Sequence, residues 1–274
     1  MKLISIIVCA AALMFAACNS NTTTPEKEMI NTPAIKSESV SYGTDSAKLT
    51  GFVAYDSATT AKRPVVLVVH EWWGLNDYVK SRVKQLAQLG YLAIAVDMYG
   101  DGKMGNDPVE AGKLAMPFYQ NPAFAKSRFD AALAKIKTYS QADTTKIAAI
   151  GYCFGGGMVL NVARLGEQLN GVVSFHGSLV GTPADKNLLK AKILVCHGAD
   201  DQFVKPAEVA VFKKQMDSIG ADYTFKQYAG ATHAFSNPNA TAMGEKFKIP
   251  IAYNAAADTA SWAAMKDFFG TIFK

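Results

Sequence analysis

The chain has 274 residues, half of them hydrophobic and 19% charged, enough apolar material for one large core and within the size range of a single α/β domain. Its 28 Lys and Arg exceed its 23 Asp and Glu by +5, but no basic run is interleaved with aromatics as a nucleic-acid groove requires. Nucleic acid is therefore excluded as a partner, and the charge is read as a solvated surface.

Residues 1–17 carry one charge at Lys2, an apolar stretch and then Ala16-Ala17-Cys18, the pattern of a signal peptide and too short to span a membrane. Small residues directly before Cys18 resemble a bacterial lipobox, with Phe15 where Leu is more usual. Cleavage would expose Cys18 for lipidation and make the product an exported cell-envelope lipoprotein, on the outer membrane facing the periplasm or the surface. Residues 19–37, rich in Asn, Thr, Pro, Glu and Lys without apolar periodicity, are expected to form a flexible tether, and one folded domain is expected over residues 38–274.

Residues 38–42 and 48–54 read as a hairpin around a Gly/Asp turn. From Pro64 onward continuous apolar runs recur at 65–69, 92–96, 147–150, 172–175 and 193–196, with a weaker one at 223–228; such runs mark strands buried on both faces. Helical patterns separate them at 78–89, 127–139, 155–165 and 206–219, and a last one covers 256–273. Alternating strand and helix predicts an α/β fold with a mostly parallel central sheet, helices on both faces and an N-terminal hairpin. Residues 100–121 hold several Gly and Pro but no strand pattern, so a loop or short helices are expected over the sheet's edge.

In such sheets ligands bind outside the carboxyl ends of the strands. There the sequence places Gly151-Tyr152-Cys153-Phe154-Gly155-Gly156-Gly157, a strand, sharp turn and helix with the form of a nucleophile elbow, cysteine standing where serine is commoner. The glycines leave room for the close approach that the turn forces, and the Phe154 backbone N–H is aimed at a developing oxyanion. No Lys-Ser/Thr follows as in a phosphate-binding loop. A thiol nucleophile needs a base and an orienting acid. Of the four histidines, His70, His176 and His197 end strands, and His233 follows the last strand, the final place in the order nucleophile, acid, histidine. The acid is expected after the run 193–196, where Asp200 and Asp201 both stand. Four converging histidines lack the spacing of a metal site, so no metal and no cofactor are expected. His70-Glu71-Trp72-Trp73 follows the first buried strand, where the Trp72 N–H is the candidate second oxyanion donor, and desolvation among aromatics should raise the Glu71 pKa. Of the four cysteines, Cys9 leaves with the signal; Cys196 lies in an apolar strand, so no disulfide with Cys153 is expected.

Together His70 to Asn76, Asp97-Met98-Tyr99-Gly100, Gly151 to Gly156, Asp201-Gln202-Phe203-Val204 and His233-Ala234-Phe235 resemble the dienelactone hydrolase family of α/β-hydrolases, in family order over residues 40–273. The resemblance implies Cys153 as nucleophile, His233 as base, Asp201 as orienting acid, Glu71 as resting partner of the thiol, and Phe154 and Trp72 amides as the oxyanion hole. It implies a substrate pocket at Trp73, Tyr99, Asp101 and Asn237, the last two occupying positions where dienelactone-cleaving members carry arginines for a substrate carboxylate. The expected function is hydrolysis of a small ester or lactone through an acyl-enzyme. The alternatives are a broader cell-surface carboxylesterase and a catalytically silent hydrolase fold serving as a binding lipoprotein.

Overall fold

A computed structural model describes residues 32–44 and 47–274. The signal peptide, Cys18 and most of the expected tether lie outside the described residues.

The first strands, β1 (Ile35–Thr44) and β2 (Ala47–Asp56), form the antiparallel hairpin. Residues 35–37, expected within the tether, are strand instead: Ile35 sits opposite Asp56, and the Ala34 N–H donates to Asp56 Oδ1 at 2.9 Å. A single apolar residue, Ile35, beside the polar Lys36 and Ser37 gave no strand period, and the pairing itself is made by the backbone. Next come β3 (Arg63–Val69), α1 (Asp77–Gln88), β4 (Leu92–Val96), α2 (Pro108–Gln120), α3 (Pro122–Lys137), β5 (Ala142–Tyr152) and α4 (Phe154–Arg164). The chain ends with β6 (Gly171–Phe175), β7 (Lys192–Gly198), α5 (Pro206–Ser218), β8 (Tyr223–Tyr228), α6 (Ala240–Phe247) and α7 (Ala255–Ile272). The sheet order is β1-β2-β4-β3-β5-β6-β7-β8, parallel from β4 to β8. This is the expected fold class.

Residues Val65 to Val69 of β3 are fully buried because the sheet is covered on both sides. Val65, Leu67 and Val69 face a core shared with α2, α3, α4 and α5, while Val66 and Val68 face α1 and α7. Each such side chain contributes about 1.5–3 kcal/mol by burial. Two helices had no span assigned from the sequence. Where a loop or short helices were expected, residues 108–120 form one helix, α2, capped by Asp107, which accepts from the Val109 and Glu110 N–H groups, with Pro108 at its start. Asp followed by Pro is a helix-start signal; Pro117 and the glycines nearby hid it. The eight-residue α6 lies too close to the Gly/Pro-punctuated chain around it to show a period.

Candidate active site

The site is assembled at the carboxyl ends of β3, β5, β6 and β7. Between β5 and α4, Cys153 has φ 52° and ψ −114°, a left-handed conformation costly for any residue with a Cβ. Its neighbours are small because space demands it: a Cβ on Gly151 would overlap the Gly155 backbone, and one on Gly155 would overlap the Val69 carbonyl. The Gly155 N–H donates to His70 O at 3.0 Å, tying the elbow to the end of β3. The Cys153 N–H is shared between Phe175 O at 3.0 Å and His176 Nδ1 at 3.1 Å. As first residue of α4, Phe154 has an N–H with no intrahelical acceptor.

His233 sits in the loop after β8, paired by backbone to Ile251. Its Nδ1 lies 2.8 Å from Asp201 Oδ2. Asp201 Oδ1 in turn accepts from the Phe203 and Val204 N–H groups at 2.8 and 3.2 Å, so the turn leading to α5 fixes the carboxylate. Asp200, the neighbouring possibility, is exposed. Burial resists charge on His233, but the facing Cys153 sulfur and the Asp201 carboxylate outweigh it and raise its pKa to about 10. Burial likewise opposes charge on Asp201, yet hydrogen bonds from His233 and the two amides hold its pKa below the usual value. The loop carrying His233 is anchored from α1, where Arg82 donates to Ser236 O at 2.6 Å and pairs with Asp258.

Glu71 is 1% exposed, and burial pushes its pKa up to about 7 against the opposing effects of Asn237, His233 and Arg82. Its Oε2 accepts from Asn237 Nδ2 at 2.7 Å. Asn237 thus holds one oxygen of the carboxyl that resemblance pairs with the resting thiol, and the Cys153 sulfur faces His233. Two placements are corrected. Asn237 is buried as the Glu71 partner, and Asp101 is turned to solvent with φ 54° and a 3.6 Å contact to Lys103; neither lines the cavity. Tyr99 is also behind the wall, donating its hydroxyl to Trp72 O at 2.9 Å. Trp72 and Trp73 do line it.

The other histidines are buried supports. His70 Nδ1 meets Glu71 O, Nε2 accepts from the Met98 N–H, and burial lowers its pKa to about 4. His176 Nε2 lies 2.8 Å from Ser236 Oγ, and burial with the charges of His233 and Arg82 drives its pKa down. Among the described residues no three His, Cys, Asp or Glu stand as a metal-binding set. Cys153 and Cys196 are both free thiols.

The cavity over Cys153 measures about 300 Å³. Sequence reasoning missed much of its wall: α2 supplies Gly112, Ala115, Met116 and Tyr119, and the far side holds Val204 and Ile251. The spacing i, i+3, i+4, i+7 along α2 is that of one helix face, a signal usable only once α2 itself is recognised.

Glu71 carries a pH prediction. If its carboxylate accepts a proton during activation of the thiol, kcat/KM falls as pH drops through about 7, because the protonated acid cannot act as a base. Glu71→Gln should lower kcat/KM by about 10- to 100-fold and remove that acid limb, as rate profiles between pH 5 and 9 would register. A variant with the wild-type rate and limb would show Glu71 to be a packing group.

Comparison with known proteins gives a consistent picture. Residues 49–273 match the profile of the dienelactone hydrolase family. The protein usf of Aquifex pyrophilus is 30% identical over 196 residues, covering 70% of this chain and 84% of its own length. Among solved structures, a dienelactone hydrolase-like promiscuous phosphotriesterase from metagenomic libraries superposes with a TM-score of 0.81 at 32% identity, over 87% of this chain and 98% of that one. An α/β-hydrolase enzyme from a Medee basin deep-sea metagenome library gives a TM-score of 0.63 at 14% identity, over 86% and 98%, a likeness of fold alone.

Proposed function

Because the chain belongs to the dienelactone hydrolase family, we propose that this hydrolase cleaves small esters or lactones through an acyl-enzyme on Cys153. The observation that carries the reading is the line from Asp201 through His233 to the Cys153 sulfur, with a 2.8 Å bond at its acid end. In the proposed sequence, Cys153 Sγ attacks the carbonyl carbon and the oxyanion rests on the Phe154 and Trp72 N–H groups. His233 gives its proton to the alkoxide as the C–O bond breaks, leaving a thioester. Water then attacks the thioester while passing a proton to His233; the C–S bond breaks and the sulfur leaves as thiolate beside the imidazolium. The sum is ester plus water to acid plus alcohol. A burst of 4-nitrophenol from its acetate, stoichiometric with an acyl mass addition on Cys153, is expected. Turnover without any adduct on Cys153 would reject the reading, and alkylatable Cys153 with no turnover of any ester would favour a silent binding protein.

A second reading, favoured by the phosphotriesterase neighbour, takes neutral phosphotriesters at the same thiol; diethyl 4-nitrophenyl phosphate tests it directly. We further propose that Cys18 is lipidated and that the hydrolase is held at the cell envelope. On this view Cys18→Ala moves the full-length protein from the membrane to the soluble fraction without changing ester turnover, whereas equal partitioning of both forms would reject the anchor.

A further inference from the structure

We propose that the acyl group admitted to this site is uncharged and apolar, seated along the inner face of α2, and that acyl groups bearing a free carboxylate are disfavoured. This rests on the thiol-hydrolase reading above and names its substrate class.

The wall decides the matter. Along α2 the cavity meets Gly112, Ala115, Met116 and Tyr119, and across from them Val204 and Ile251. No lysine or arginine is among the lining residues. The ionisable side chains there besides Cys153 and Tyr119 are His233 and Glu71. His233 is already engaged by Asp201 on one nitrogen and faces the nucleophile, so its charge belongs to the reaction centre rather than to a distant acyl carboxylate. Glu71 offers only a like charge once ionised. Arg82 is committed to Ser236 and Asp258, and Lys103 to the exposed Asp101, while Lys113 and Lys205, each next in sequence to a lining residue, are exposed and outside the lining. A carboxylate carried into this cavity would lose its water and gain no cationic partner, a costly exchange. An alkyl or aryl group would gain by the same transfer. Met116 and Phe203, 50% and 44% exposed, continue the apolar surface to the mouth of the cavity.

The test compares 4-nitrophenyl pentanoate with 4-nitrophenyl hydrogen succinate, of similar length, on the wild-type protein at pH 8 with uncatalysed rates subtracted. The neutral ester is expected to have the higher kcat/KM by about 30-fold. Gly112→Arg, placed where a Cβ meets open space, should narrow that ratio about tenfold, and Met116→Arg on the half-exposed rim serves as the second variant. Equal or better turnover of the succinate overturns the inference while leaving the thiol mechanism in place. A neutral preference that neither arginine narrows overturns the placement along α2. No Cys153-dependent turnover of either ester overturns the underlying reading, and the inference with it.

Discussion

Cys153→Ala is expected to reduce ester turnover by at least about 10⁴-fold while leaving the melting temperature within a few degrees of wild type. On the proposed mechanism the loss follows from removing the atom that would form the acyl bond, for which the oxyanion donors alone would compensate only in part. The fold should tolerate the change because alanine keeps the Cβ, so the strain at φ 52° is neither added nor relieved, and because the sulfur borders an existing cavity rather than filling the core. Cys153→Ser should also be severely impaired, since a hydroxyl ionises far less readily than a thiol in a site shaped for sulfur. A second readout separates this from nonspecific damage. The sulfur helps to raise the His233 pKa to about 10, so in Cys153→Ala the imidazole should titrate lower, as proton NMR of the ring would show. Wild-type rates in the alanine variant would remove Cys153 from the mechanism and turn attention to Cys196.

Asp201→Asn should cost about 10³- to 10⁴-fold in kcat with little change in KM, because it reverses one hydrogen bond without disturbing the turn. Asp201 divides its work between two oxygens. Oδ1 accepts from the Phe203 and Val204 amides, and Oδ2 meets His233 Nδ1. Asparagine can keep its oxygen on the amides, which preserves the loop, but then presents an NH₂ group to His233. The imidazole must accept at Nδ1 and carry its proton on Nε2, the wrong tautomer to take a proton from Cys153. The loss of the carboxylate charge also lowers the His233 pKa, the same direction as in the alanine variant but with the sulfur intact. Kinetics together with a ring titration would check this; a variant with wild-type kcat would show that Asp201 does not orient the base.

What could be read directly was whatever the chain states locally. Apolar runs such as Val65 to Val69 announced buried strands, because a strand covered on both faces has no polar side to alternate with. The glycines around Cys153 announced the elbow, because a Cβ at Gly151 or Gly155 collides with backbone only a few residues away or on the adjoining strand. Chain order placed His233 last. The sequence left Asp200 and Asp201 side by side as candidate acids, separated only by resemblance; the turn that buries Asp201 against His233 and leaves Asp200 in solvent is a tertiary fact. The same holds for Asn237, assigned to the pocket by resemblance but bonded to Glu71, 166 residues away, and for Asp101, whose left-handed turn carries it outward. The α2 wall escaped because its helix signal was broken by Pro117 and its facing partners lie on the β7–α5 and α6–α7 connections. By itself the sequence determined the sheet, the elbow and the order of the candidate groups, since these depend on periodicity and steric demand within short segments. Only the tertiary structure decided which acid meets the base, what holds Glu71 and what lines the cavity, because those contacts join residues far apart in the chain and depend on how the packed elements aim them.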